Sequence, residues 1–200
     1  MLMNNNVEEN YWTTRYRESQ TGWDVGRVST PLKAYIDQLN DKELKILIPG
    51  AGNAYEAAYL WNIGFKNVHV LDISKIPLEA LKQRIPDFPQ SQLMHGNFFE
   101  HEGEYDLIIE QTFFCSFLPT QENRNNYAFK MAELIKPAGK LVGLWFNHPL
   151  TDEENRPFGG SREEYLNYFS PHFDVQTFEP AHNSIEQRQG RELFGIFVRK

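Results

Sequence analysis

With a single cysteine, Cys115, in 200 residues, the chain has no partner for an intrachain disulfide and no second thiolate for a structural zinc site. Basic residues are scarce: 20 lysines and arginines face 27 acidic residues, and no dense basic run occurs. A protein that neutralises several phosphates carries a basic stripe, so the formal net charge of −7 sets nucleic acid aside and favours a small-molecule partner. No apolar run approaches the roughly 20 residues that cross a bilayer, and no membrane partner is expected. Residues 1–6 lack the basic and apolar regions of a secretory signal, which points to the cytoplasm. What is present is ordinary for a folded chain, 40% apolar and 24% charged residues. Aromatics reach 14%, part of them concentrated before the first strand.

The length suits one α/β domain over residues 1–200. Residues 1–10 are polar and Asn-rich and read as a frayed end, and residues 11–40 as an N-terminal cover segment. Within that cover, 30–39 reads as a short helix with Thr30 as N-cap and Pro31 at its first position. Strands and helices then alternate. The pattern predicts strands over 45–49, 67–71, 92–95, 105–111 and 140–147, and helices over 54–63, from the Ser74 cap to 84, over 120–134 and over 161–168. Lys136-Pro137-Ala138-Gly139 reads as a stop and turn. Two final strands, 174–179 and 192–199, lack an intervening helix and predict a terminal hairpin. Such alternation implies a doubly wound, mostly parallel seven-stranded sheet of the Rossmann-like type, with an antiparallel end.

The stretch Lys45-Ile46-Leu47-Ile48-Pro49-Gly50-Ala51-Gly52-Asn53 is a buried strand emptying into a glycine turn before a helix. Asp72 stands at the tip of the second strand. Glycines let the backbone approach a ligand and a strand-end carboxylate grips ribose hydroxyls, so the pair suits an adenosine-containing cofactor. The third glycine of a dinucleotide fingerprint falls at Tyr55, whose bulk obstructs pyrophosphate packing. S-adenosyl-L-methionine (SAM), which has no phosphates, fits better and leaves S-adenosyl-L-homocysteine as product. Ile73 is placed to lie against adenine, Asn97 to bond its amino group and Phe98 to cover the ring. Glu110-Gln111-Thr112 closes the fourth strand on the methionine side. Cys115 reads as a small core residue.

With these residues in view, the chain resembles the thiopurine S-methyltransferase superfamily, in particular its plant-type halide/thiocyanate (thiol) methyltransferase branch. The resemblance spans most of the chain. It rests on Trp23-Asp24-Val25-Gly26-Arg27, Pro49-Gly50-Ala51-Gly52, Leu71-Asp72-Ile73-Ser74 and Tyr105-Asp106-Leu107-Ile108 with Phe113-Phe114-Cys115, then Leu134-Ile135-Lys136-Pro137 and Arg188-Gln189-Gly190-Arg191. It implies a class I SAM-dependent methyltransferase in which Trp12, Tyr16 and Trp23 join Gly50, Asp72, Asn97 and Phe98 around the cofactor. Aromatic faces attract a sulfonium cation, worth roughly 0.5–2 kcal/mol per good contact. The chain departs from the plant relatives in three places. Tyr16 stands for a tryptophan, Glu110-Gln111 for Asp-Tyr, and Arg156-Pro157-Phe158-Gly159-Gly160 only loosely matches a Gly-Gly-Pro-Pro-Tyr element.

The activity this implies is methyl transfer to a small soft nucleophile: a thiol, bisulfide, thiocyanate or a halide. Such a nucleophile carries its reactive lone pair already, so alignment and exclusion of water suffice, with no metal and no obligatory triad. An anionic acceptor calls for a cation, with Arg27, Arg188 and Arg191 as candidates. Phe146, Phe158 and Tyr165 are candidates for the acceptor wall or for the core. His148 and His182 fall in loops, and Asp152-Glu153-Glu154 reads as a solvated loop edge. Two alternatives stay open: methyl transfer to oxygen or nitrogen of a metabolite, with Glu110 or His148 as base, and a SAM- or nucleotide-binding module without catalysis. An NAD-linked oxidoreductase ranks behind them because of Tyr55. Oligomeric state is not legible.

Overall fold

A computed structural model describes residues 5–149 and 156–200. It opens with α1 (Asn5–Arg17) and α2 (Thr30–Ile36). Then come β1 (Ile46–Pro49), α3 (Tyr55–Asn62), β2 (Val68–Asp72), α4 (Lys75–Arg84), β3 (Leu93–His95) and β4 (Tyr105–Gln111). The second half holds α5 (Gln121–Leu134), β5 (Ile135–Phe146), α6 (Arg162–Phe169), β6 (Phe173–Pro180) and β7 (Glu192–Arg199). The seven strands form one sheet in the order β3-β2-β1-β4-β5-β7-β6. The first five are mutually parallel, and β7 inserts antiparallel between β5 and β6, the expected antiparallel end.

Alternation along the strands explains the two-faced core, because successive side chains leave a strand on opposite sides. Ile46, Ile48, Val68, Val70, Leu107 and Ile109 pack with Leu32, Leu60 and Leu81 of the helices on one face. Leu47, Leu71, Ile108 and Leu141 pack with Tyr127, Met131 and Phe169 on the other. The helix starts carry the caps the sequence announces. Ser74 accepts from the Ile76 N–H, Thr120 from Asn123 and Ser161 from Glu164, each satisfying a donor in the first turn.

Two expectations are corrected. The frayed end through residue 10 gives way from Asn5 to α1, whose polar face conceals contacts made at a distance. Thr13 Oγ1 donates to Ser74 Oγ at 2.9 Å, and Glu9 pairs with His95 at 3.1 Å. The helix does stop at Leu134, before Lys136-Pro137-Ala138-Gly139, but the strand expected from Lys140 starts at Ile135 and carries that turn as a bulge. Ile135 pairs with Tyr105, Ala138 turns through φ +63°, and pairing resumes between Lys140 and Leu107. Asp152-Glu153-Glu154 lie outside the described residues.

Candidate active site

The carboxyl ends of β1, β2, β4 and β5 open into a cavity of about 550 Å³, roofed by α1 and the segment after it. Ligands of parallel α/β sheets lodge at this edge, and the volume lies in the range that holds a cofactor-sized molecule. Gly50 and Gly52 adopt φ of +56° and +53°, the left-handed region that favours glycine. A Cβ on Gly50 would overlap the Phe113 ring, and one on Gly52 would sit 3.6 Å from Trp23 Nε1 and 3.7 Å from the Tyr16 hydroxyl.

Asp72 closes β2 and is buried at the cavity wall. Its Oδ1 accepts from the Ser74 N–H at 2.8 Å and its Oδ2 from the Gly52 N–H at 3.2 Å, so one side chain ties both strand-end loops. Burial pushes the carboxyl up to about 7, against the pull of those backbone donors. Ile73 lines the wall beside it. Asn97, also on the wall, caps a short 3₁₀ turn by accepting from the Phe99 N–H at 3.0 Å. Phe98 follows, its ring edge-on to Phe113 at 5.2 Å.

The roof is aromatic. Trp12 and Tyr16 of α1 meet Trp23 edge-to-face at 5.4 and 5.7 Å, and all three line the cavity. Burial and the nearby Asp72 and Asp24 carboxylates raise the Tyr16 phenol far above its ordinary value, keeping it neutral. The roof is pinned at several points besides Ser74 and His95. Arg188 donates to the Trp23 carbonyl at 2.6 Å while pairing with Glu192 at 3.1 Å. Arg156 pairs with Glu8 at 3.1 Å, donates to the Ser116 carbonyl and lies over the Tyr11 ring at 4.7 Å.

The far end is walled by Gln111, Thr112, Phe113 and Phe117 after β4, by Phe146 and His148 at the end of β5, and by Arg188 and Arg191. The His148 ring lies 5.3 Å from Phe146. Cys115 reaches the wall but is buried, its thiol donating to the Thr112 carbonyl at 2.8 Å and pushed well above its ordinary pKa by burial.

Several candidates fall elsewhere. Glu110 is wholly buried beneath the wall and does not line the cavity. Its Oε1 accepts from the Phe113 and Phe114 N–H groups at 2.6 and 2.9 Å, and burial raises the carboxyl to about 8. Arg27 is exposed and does not line the cavity, whose lining on this segment ends at Val25. Phe158 and Tyr165 belong to the core, and His182 is exposed. Sequence reasoning passed over Glu8, Arg156 and the wall role of Phe113. The first two carry no local signal, since each meets its partner across more than a hundred residues. Phe113 had one, its place directly after a strand that ends at the ligand edge.

A family model described as thiopurine S-methyltransferase (TPMT) matches residues 7–199. The chain belongs to the thiopurine S-methyltransferase family. It is accordingly a SAM-dependent methyltransferase. Among its relatives, the probable thiol methyltransferase 2 of Arabidopsis thaliana is 28% identical over 192 residues, covering 92% of this chain and 82% of the relative. The thiocyanate methyltransferase 1 of Brassica oleracea is 29% identical over 197 residues, covering 94% and 84%. Among solved structures, the 1,6-didemethyltoxoflavin-N1-methyltransferase of Burkholderia thailandensis superposes with a TM-score of 0.73 at 14% identity, covering 98% of this chain and 88% of that one. That likeness concerns the fold. Within the family fold, the glycine turn, the buried Asp72 and the aromatic roof enclose a space whose donors and faces fit SAM.

Proposed function

We propose that this thiopurine S-methyltransferase family member, one domain acting in the cytoplasm, methylates a small soft nucleophile: a thiol, bisulfide, thiocyanate or a halide. The observation that carries this reading is the composition of the far end of the cavity. Aromatic rings and the guanidinium groups of Arg188 and Arg191 form its wall, while Glu110, the carboxylate expected there, lies underneath. Such a wall attracts a polarisable anion and excludes water, and Glu8, a carboxylate that lines the cavity, is held in its pair with Arg156. The names of the plant relatives, thiol and thiocyanate methyltransferase, agree with it. A small-molecule acceptor, without nucleic acid or membrane, accords with the net charge of −7.

In this proposal Asp72 accepts hydrogen bonds from both ribose hydroxyls, Gly50 and Gly52 let the backbone lie against the methionine and ribose, and Ile73, Asn97 and Phe98 hold the adenine. Trp12, Tyr16 and Trp23 present aromatic faces to the sulfonium and keep water out. When bound, SAM supplies an electrophilic methyl group open to in-line displacement. The wall residues orient the acceptor on that line and hold it there, which can account for several kcal/mol of barrier reduction. Arg188, neutralised by Glu192, positions the roof through Trp23, leaving Arg191 as the cation for an anionic acceptor. Arg27 has no part in it.

A second reading, transfer to oxygen or nitrogen, is favoured by one observation: His148 stands on the cavity wall. Methyl transfer from labelled SAM to iodide, thiocyanate, bisulfide and thiophenol, beside catechol and amine acceptors, separates the two. Turnover confined to the sulfur and halide acceptors is expected. Turnover confined to catechol or amines, with a bell-shaped pH profile lost in His148→Ala, would establish the second reading instead.

A further inference from the structure

A buried carboxylate held only by backbone donors is an expensive feature, and stability does not explain it. Glu110 has one oxygen shared by the Phe113 and Phe114 N–H groups, while Oε2 is buried with no hydrogen-bond partner among the described residues. What the bonded oxygen holds is a strained turn. Thr112 sits at φ +55°, a conformation that a β-branched residue rarely adopts, and the Cys115 thiol closes the turn on the Thr112 carbonyl. The next residue, Phe113, presses its ring against Gly50, so closely that only glycine fits there. The same ring meets Phe98 at 5.2 Å and Phe117 at 4.8 Å. It is therefore shared by the glycine turn and the far wall, the two ends that methyl transfer must align.

We propose that Glu110 is a positioning residue, which from below fixes the turn at 112–114 so that Phe113 sets the spacing between the cofactor end and the acceptor end. The proposal rests on the methyl-transfer reading for its kinetic consequences but not for its structural one. Among the described residues, Glu110 Oε1 is the acceptor for both N–H groups of the turn, and the turn is anchored on its outer side as well. The Cys115 carbonyl accepts from the Phe158 N–H at 2.9 Å and the Ser116 carbonyl accepts from Arg156. A turn released from Glu110 would thus rotate about its outer anchors and carry the ring off Gly50.

The test compares wild type with Glu110→Gln, Glu110→Ala, Phe113→Leu and Glu110→Ala/Phe113→Leu, using thiophenol as acceptor, and reads amide hydrogen exchange at Phe113 and Phe114. Glutamine keeps the accepting oxygen, so Glu110→Gln should retain slow exchange and stay within about threefold of wild-type kcat. Glu110→Ala should lose the protection and raise the thiophenol KM about tenfold, with SAM affinity within about threefold. Phe113→Leu should raise KM comparably, and the double variant should be no worse than Glu110→Ala, because both changes remove one device. Loss of kcat in Glu110→Gln with amide protection intact would make Glu110 a proton acceptor and overturn the proposal. Additive losses in the double variant, or unchanged exchange in Glu110→Ala, would overturn it too. If Glu110→Ala does not fold, Glu110→Gln and Phe113→Leu decide: fast exchange in the glutamine variant, or a Phe113→Leu KM equal to wild type, overturns it. Failure of wild type to methylate thiophenol would count against the acceptor reading alone, since the exchange measurement needs no acceptor.

Discussion

At Asp72, two demands meet on one carboxylate. Burial holds it up to about 7, so near neutral pH a large share of ligand-free molecules carry it protonated. Ribose hydroxyls donating to it favour the charged form, so SAM binding should release protons and weaken as pH falls from 8 to 6. Asp72→Ala removes both acceptor oxygens and should weaken binding on the order of 100-fold, the effect of two hydrogen bonds to a charged group. Calorimetry at pH 6, 7 and 8 checks both parts: the variant's affinity should be low and flat across that range. A wild-type affinity that is itself flat, or a variant that binds normally, would take Asp72 out of the ribose site. Its place at the cavity wall was readable from sequence because it is fixed locally. A carboxylate at the tip of a strand beside a glycine turn needs no distant partner to be recognised. Arg27 and Glu110 show the opposite case. Both stand in motifs that look functional, yet side-chain direction takes one out to solvent and the other under the wall.

At the scale of elements, α1 gives the expected aromatic cover its hold, through contacts the sequence concealed. Its own composition is polar and it would not be a stable helix alone, since isolated helices this short are marginal in water. It is held by contacts on three sides: Ser74 and His95 along the sheet edge, Arg156 across the cavity, and the Trp12–Trp23–Tyr16 rings beneath. The Glu8–Arg156 pair is mostly shielded, with side-chain exposures of 18% and 14%, so its loss should exceed that of a surface pair. Arg156→Ala should speed proteolysis within residues 5–20 and weaken SAM binding about tenfold, the equivalent of ~1.4 kcal/mol. Trp23→Ala should do the same by removing the ring that α1 rests on. If saturating SAM fails to restore protease resistance in either variant, α1 is not coupled to the cofactor space. Unchanged cleavage without ligand would mean that other contacts hold the roof.

Across the whole molecule, Asp72 and Glu110 tie function to stability. Their folded pKa values, about 7 and about 8, lie above the ordinary carboxylate values. Each therefore contributes stability that is full below about pH 4 and is lost as pH rises through the folded value. Burial lowers the His69, His101 and His172 pKa values, which acts in the opposite sense, adding stability as pH rises through about 6.5. A difference measurement isolates the carboxylates. The Tm of Asp72→Asn minus that of wild type, both without SAM, should rise from pH 5 to about pH 7 and level off by pH 8. A constant difference would show that Asp72 keeps an ordinary pKa in the folded chain. SAM should reverse the wild-type deficit at pH 8, adding about 2.7 kcal/mol at a concentration of 100 Kd.

Order of strands and helices, the parallel sheet with its antiparallel end, the glycine turn and the carboxylate at the tip of β2 were all determined by the sequence by itself. They depend on period, caps and strand-end chemistry, which act over a few residues. Apart from the start of β5, five residues earlier than the pattern, strand ends fell within a residue or two of it, and Ser74, Thr120 and Ser161 marked three helix starts because a cap bonds its own first turn. The tertiary structure alone decided that the cover begins as a helix at Asn5, that β5 absorbs its proline-bearing turn as a bulge, and that Arg156 latches Glu8. It also decided that Glu110 lies beneath the wall while Phe113 faces the cavity. Each of these rests on pairs brought together from distant parts of the chain, or on which side of a strand end a side chain leaves. Neither is encoded in the identity of the residue or its neighbours, and both are settled only when the sheet closes and its core is packed.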